Sequence, residues 1–417
     1  MIVSKLARIV LVLITALYQI ALSAAEFSSE TIANNGEHTV VSKVLEHDIR
    51  LQIYTPDGYE SSDKRYPVLY VLDGQWHFIN AIGIQESLRV PDILPEMIIV
   101  GVVSDEPIRR TWFGEQREAF QQALANEVVP FVESSLRISQ DKILFGWEMG
   151  AFFATFSLLE DSNQFSGIVA TNGGDASVAA INEFQTREPF QKRYLYLANS
   201  DRDIYTVNYS DQLSENLKLA ANKHLTWAYR KFNDETHESL PYLALYEGLK
   251  FYFHNFKDLA FTSIEEFETL GGMEYLRIHF NERSKRFGFP AGISDATKNN
   301  LIWLAWNHNN FKYFKVFMNA FKDVLATQRY DSAYWQNRFA RFYLKHGEIE
   351  TAQTYFENAL VKFPDSHSLY EGLSEVFKSA GNKELAKKNL LKAIDIARAT
   401  SDANLKRYQE QLLIIDQ

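Results

Sequence analysis

The chain has 417 residues, enough for two or three domains and a large core, and its 46% hydrophobic and 14% aromatic content excludes a disordered polypeptide. Its 43 basic and 53 acidic residues give a formal charge of −10, which, with no run of Lys or Arg, excludes a nucleic-acid partner. Cysteine is absent, so disulfides are excluded, and the ten histidines lack any His-Glu-x-x-His spacing, so neither metal nor cofactor is expected.

Residues 1–25 carry two cations, Lys5 and Arg8, then an apolar run over 9–22, then Ser23, Ala24 and Ala25. This is the layout of a secretory signal cleaved before Glu26. The alternative is an uncleaved anchor, because the apolar stretch nearly reaches the ~20 residues that span a bilayer. The expectation is an exported protein, periplasmic or extracellular, touching a membrane only through this segment if it is retained.

Over 37–54, apolar and polar residues alternate, which predicts two antiparallel strands at a sheet edge. The later runs 67–73, 97–103, 143–145, 167–170, 194–198 and 225–229 are short and almost continuously apolar, as strands buried on both faces are. Helical spacing lies between them, over 116–136 through Phe120, Leu124, Val128, Phe131 and Val132, and over 240–253. The alternation predicts a doubly wound α/β domain with a mainly parallel sheet over 37–255.

Residues 256–297, with Gly271-Gly272 and Gly288-Phe289-Pro290, read as a charged, irregular linker. From 298 to 417 the pattern is helical throughout, and 332–365 aligns with 366–399 at a period of 34. The alignment pairs Phe339 with Leu373, Gly347 with Gly381, Ala352 with Ala386 and Phe356 with Leu390. This resembles the tetratricopeptide repeat, with 300–327 a degenerate first unit and 402–413 a terminal cap. Such repeats imply either a protein or peptide partner or packing against the preceding domain.

The chemistry is concentrated at residues 141–154, where an apolar strand turns on glycines and runs straight into a helix, the layout of a nucleophile elbow. The elbow asks for Gly-x-Ser-x-Gly, and the chain reads Gly146-Trp147-Glu148-Met149-Gly150. Other stretches extend the pattern: 67–76 with its Asp73-Gly74 turn, 95–101, 128–150, and Thr236-His237 followed by Pro241 and 245–249. Together, 66–253 resembles the putative-esterase family of α/β-hydrolases, the group with enterochelin esterases, S-formylglutathione hydrolases and feruloyl esterases.

The resemblance implies an α/β-hydrolase fold with His237 as the catalytic base and Asp203 or Asp201 as the acid that orients it. It also implies an oxyanion hole from the backbone N–H groups of Met149 and Gln75, and a pocket bordered by Trp147, Trp76 and Arg109. Arg109 and Arg110 would attract an anionic ligand or simply be solvated.

Glu148 stands where the family has its serine. A carboxylate is ionised near neutral pH, has no proton to give His237, and sets negative charge beside the oxyanion. Three readings stay open. One is a pseudo-esterase that binds a small ester-like or anionic ligand, or a partner, without turnover. Another is a hydrolase of altered chemistry using Glu148 and His237, as aspartate-nucleophile dehalogenases and epoxide hydrolases do. In the last the repeats are the working part and the α/β domain a scaffold. Glu148 and His237 forming a structural charge pair is a variant of the first.

Overall fold

The computed structural model describes residues 36–160, 164–186, 192–206, 208–221 and 224–416. The expected signal segment, 1–25, lies outside them. The chain divides after Lys257 into two compact units.

The first unit is built on one eight-stranded sheet in the order β1-β2-β4-β3-β5-β6-β7-β8. β1 (Gly36–Ser42) and β2 (His47–Tyr54) form the expected antiparallel edge, and β2 also pairs antiparallel with β4 (Ile98–Val102). The other neighbours, β3 (Tyr66–Leu72), β5 (Ile138–Trp147), β6 (Gly167–Thr171), β7 (Arg193–Ser200) and β8 (Leu225–Phe232), are parallel. Every residue of β3, β4 and β6 is buried, which accounts for their unbroken apolar sequences. Five helices cover the faces: α1 (Gly74–Arg89), α2 (Met149–Leu159), α3 (Val178–Phe184), α4 (Tyr209–Leu219) and α5 (Leu240–Tyr252).

The single helix expected over 116–136 is broken. α-Helical turns over 108–110, 117–123 and 129–135 alternate with wider π turns over 111–115 and 124–128. Pro130 accounts for the second break, because it has no N–H for the carbonyl four residues back.

The second unit is all helical. The stretch 256–297 is not the irregular linker its charges suggest, since it holds α6 (Ile264–Thr269) and α7 (Gly272–Phe287). Ile264, Phe267, Leu276 and Phe280 recur at helical spacing and are buried in the core of this unit. After α8 (Asp295–Asn307), α9 (Phe311–Ala320) and α10 (Lys322–Leu325) come α11 (Ala333–Lys345), α12 (Ile349–Lys362), α13 (His367–Ser379), α14 (Lys383–Ala399) and α15 (Leu405–Asp416). The α11–α12 pair and the α13–α14 pair begin 34 residues apart, and Gly347 and Gly381 turn each pair at φ 79° and 76°. α12 and α13 approach so closely that a Cβ on Gly372 would lie 2.3 Å from the Phe356 ring. Among the described residues, no helix is long and apolar enough to cross a membrane.

Candidate active site

Parallel strands place their functional loops at their carboxyl ends, and the chemistry-bearing residues collect there. Asp73 follows β3, Glu148 follows β5, Asp203 follows β7 and His237 follows β8, while Arg109 comes from the segment after β4.

The elbow is fully formed. A Cβ on Gly146 would lie 2.1 Å from the carbonyl oxygen of Gly150, so only glycine lets α2 start this close to the end of β5. Glu148 holds φ 51° and ψ −114°, a conformation that costs a side-chain-bearing residue about 1–3 kcal/mol. It is pinned there by Glu148 N–H donating to the Thr171 carbonyl at 3.0 Å and by Ala151 N–H donating to the Glu148 carbonyl at 2.9 Å.

The Glu148 side chain is bonded to Arg109, not to His237. Arg109 Nη1 donates to Glu148 Oε2 at 2.7 Å, while Nε and Nη2 donate to Asp73 Oδ1 and Oδ2 at 2.9 and 3.0 Å. Nη2 also donates to the Trp147 carbonyl at 3.2 Å, and Ser104 Oγ donates to Asp73 Oδ1 at 2.7 Å. Arg109 is 3% exposed and Asp73 is fully buried, so the solvated arginine expected from sequence is instead the centre of a buried ion-pair network. Four of its five N–H donors are committed, which leaves it little capacity as a free anion receptor, whereas Arg110 is exposed. Burial works against the Arg109 charge, and bonds to Asp73 and Glu148 outweigh it, raising its pKa. Burial pushes the Asp73 carboxyl upward while Arg109 and Ser104 pull it down; its oxygens act here only as acceptors, so the bonds are those of the ionised form.

The histidine loop keeps its acid. His237 Nδ1 lies 3.1 Å from Asp203 Oδ2, although it is not aligned as a good hydrogen bond. Asp203 is fully buried; Asn172 donates to it at 2.8 Å, Thr206 donates both Oγ1–H and N–H, and Tyr205 N–H donates at 2.9 Å. Burial raises its pKa, but the donors Thr206, Asn172 and Tyr205, with the adjacent His237 ring, prevail and hold it at about 2. The other aspartate considered, Asp201, is exposed on the turn. Trp147 Nε1–H donates to the His237 carbonyl at 3.0 Å, tying the elbow to the histidine loop, and its ring lies 4.9 Å from the imidazole.

Met149 opens α2 and Gln75 is the second residue of α1, so both N–H groups belong to first helical turns that have no acceptor inside the helix. The Gln75 side chain grips Ser104, donating to its carbonyl at 3.2 Å and accepting its N–H at 3.0 Å. Trp76 stands edge-on to Trp147 at 5.8 Å and stays 49% exposed at the mouth. Four contributors were not singled out from sequence: Asp73 as the arginine's partner, Ser104, and Asn172 and Thr206 around the acid. Only the motif turn Asp73-Gly74 carried a signal. His77, also unremarked, packs against Phe145 and Trp147, and burial followed by the field of Arg109 lowers its pKa to about 4, keeping it neutral. Among the described residues, no group of His, Asp and Glu could hold a metal ion.

Comparison with known proteins bears on the family and the fold. The family described as Putative esterase matches residues 42–257. A solved structure from Shewanella oneidensis, an IroE-like serine hydrolase, is 21% identical with a TM-score of 0.50, covering 68% of this chain and 98% of its own. An uncharacterised protein from Capnocytophaga ochracea DSM 7271 is 16% identical with a TM-score of 0.55, covering 91% of this chain and 99% of its own. At these identities the likeness is one of fold. The uncharacterized protein YbbA of Bacillus subtilis (strain 168) is 24% identical over 140 residues, 30% of this chain and 56% of that protein. The chain thus spans about half the length of the curated relative it matches.

Proposed function

Because the chain belongs to the putative-esterase family of α/β-hydrolases, we propose that its first unit is a pseudo-esterase, a hydrolase-fold site that binds a ligand without serine-type turnover. The observation that carries this reading is the Arg109–Glu148 ion pair at the formed elbow. A carboxylate held in a charge-assisted bond is a weaker nucleophile than a free one, and it has no proton for His237 to remove. It also sets a negative charge where an oxyanion would develop, which opposes the stabilisation that Met149 and Gln75 N–H groups would supply.

The test is hydrolysis of p-nitrophenyl acetate and methyl ferulate by the native protein, Glu148→Ser, and Glu148→Ser with His237→Ala. The native protein should give no rate above buffer, Glu148→Ser should gain one, and the double variant should lose it. Native turnover that disappears in His237→Ala overturns the reading.

The retained His237–Asp203 pair favours a second reading, a hydrolase in which Glu148 attacks an alkyl carbon, the carbon's bond to its leaving group breaks with the electron pair departing on that group, and water deprotonated by His237 then cleaves the glutamyl ester to return the Glu148 carboxylate and the alcohol. A covalent adduct on Glu148, seen by mass spectrometry with a substrate that turns over, would establish it. For the second unit, the 34-residue offset between helix pairs supports two tetratricopeptide-like repeats serving a protein or peptide partner. Export through residues 1–25 completes the proposal and is checked by locating the protein in cell fractions.

A further inference from the structure

We infer that the site's ligand carries an organic ammonium group, which docks on Glu148 between the exposed aromatic rings at the mouth. This rests on the ligand-binding reading above and gives it a ligand class. Asp73 and Arg109 neutralise one another, so the carboxylate of Glu148 is left over as net negative charge. Among the described residues, Glu148 is bonded through Oε2 to Arg109 and Oε1 meets no donor, and the side chain is 31% exposed. An ester-like anion would meet that charge with the guanidinium of Arg109 already spent on two carboxylates and a carbonyl. A cation meets the opposite balance.

The walls suit a cation too. Trp76, Trp147, His237 and Tyr205 form a continuous run of rings, with centroid separations of 5.8, 4.9 and 5.1 Å. Its two ends are the open ones, since Trp76 is 49% and Tyr205 67% exposed. The Arg109 guanidinium already lies over the Trp76 and Trp147 rings, 5.5 and 5.4 Å from their centroids, so an ammonium group is left the exposed parts of Trp76 and Tyr205, each worth roughly 0.5–1 kcal/mol, about a two- to fivefold gain in affinity. A half-free carboxylate adds a comparable amount, so together they favour a cation over its uncharged isostere by about tenfold. The exposed Ile204 and Tyr209 beside Tyr205 extend the apolar rim for the rest of the molecule.

The experiment is calorimetric titration of the whole protein at low ionic strength with choline and with 3,3-dimethyl-1-butanol, its uncharged carbon isostere. Choline should bind about tenfold more tightly. Glu148→Gln should cut the preference for choline about two- to fivefold, and Trp76→Leu or Tyr205→Leu should each weaken choline about two- to fivefold with the alcohol unchanged. The latter two side chains are exposed, so these variants decide the matter even if Glu148→Gln fails to fold. No binding of choline, equal affinity for both probes, or tighter binding of acetate overturns the inference. Ester turnover is a separate readout: loss of choline selectivity without turnover sinks the cation alone, whereas His237-dependent turnover sinks the pseudo-esterase reading.

Discussion

Arg109→Ala tests whether the guanidinium is structural or merely adjacent. Removing it strips Asp73 of both its bidentate bonds at 2.9 and 3.0 Å and leaves a fully buried carboxylate with Ser104 as its remaining side-chain donor. Breaking one side of a buried pair costs about 3–5 kcal/mol, a large share of the roughly 5–15 kcal/mol that holds a domain together. The loss should depend on pH in a definite direction. Burial already pushes the Asp73 carboxyl up, and without Arg109 that push is almost unopposed. A carboxyl whose folded pKa lies above its unfolded value favours the native state below the unfolded pKa, and that favour is lost as pH rises through the folded one. The variant should therefore be hurt more at pH 8 than at pH 5, because falling pH favours protonation of Asp73 and leaves mainly lost hydrogen bonds, about 1–3 kcal/mol. The assay is urea titration with peptide-resolved hydrogen exchange, following 66–72 and 143–159 so that the helical unit does not mask the result. A loss under about 1 kcal/mol at pH 8, or one equal at both pH values, refutes the account.

Other expectations follow from single contacts. Asp203 is held at about 2 against an ordinary 3.8, so it contributes about 2 kcal/mol above pH 4 that is lost as pH falls towards 2. Asp203→Asn should flatten that acid limb in pH-dependent unfolding; an unchanged slope would contradict it. Trp147→Phe removes the 3.0 Å bond to the His237 carbonyl and should cost about 1 kcal/mol while increasing hydrogen exchange over 234–239, which a silent exchange map would rule out. Gly372→Ala drives a methyl to 2.3 Å from Phe356 and should destabilise the helical unit by about 1–3 kcal/mol despite alanine's better helix propensity. Combining it with Phe356→Leu should recover part of the loss, and strict additivity of the two would argue against a direct clash.

The eight-strand sheet was legible because strands buried on both faces leave continuous apolar runs, and the elbow because two glycines bracket it at fixed spacing. Glu148 could be seen, but its partner could not. Arg109 lies 36 residues from Asp73 and 39 from Glu148 along the chain, and only the parallel order of β4, β3 and β5 brings the three together. Arg109 and Arg110 look alike in sequence, yet one turn of helix sends one inward and the other out. The same ambiguity held for Asp201 and Asp203, two residues apart on one turn, until Thr206 and Asn172 were found closing on the latter. In 256–297 the charges were conspicuous and the buried spacing of Ile264, Phe267, Leu276 and Phe280 was not.

The guanidinium of Arg109 touches the turn after β3, the carbonyl of Trp147 at the end of β5, and the elbow residue, while its own backbone belongs to the segment after β4. One side chain therefore makes these pieces answer to one another. By reciprocity, anything that competes for Glu148 must loosen its hold on residues 104–116, and anything that orders 104–116 must sharpen the charge presented at Glu148. The replaced nucleophile is thereby tied through one side chain to the helical turns that follow β4, which also pack on the elbow's own helix through Phe113 and Phe153.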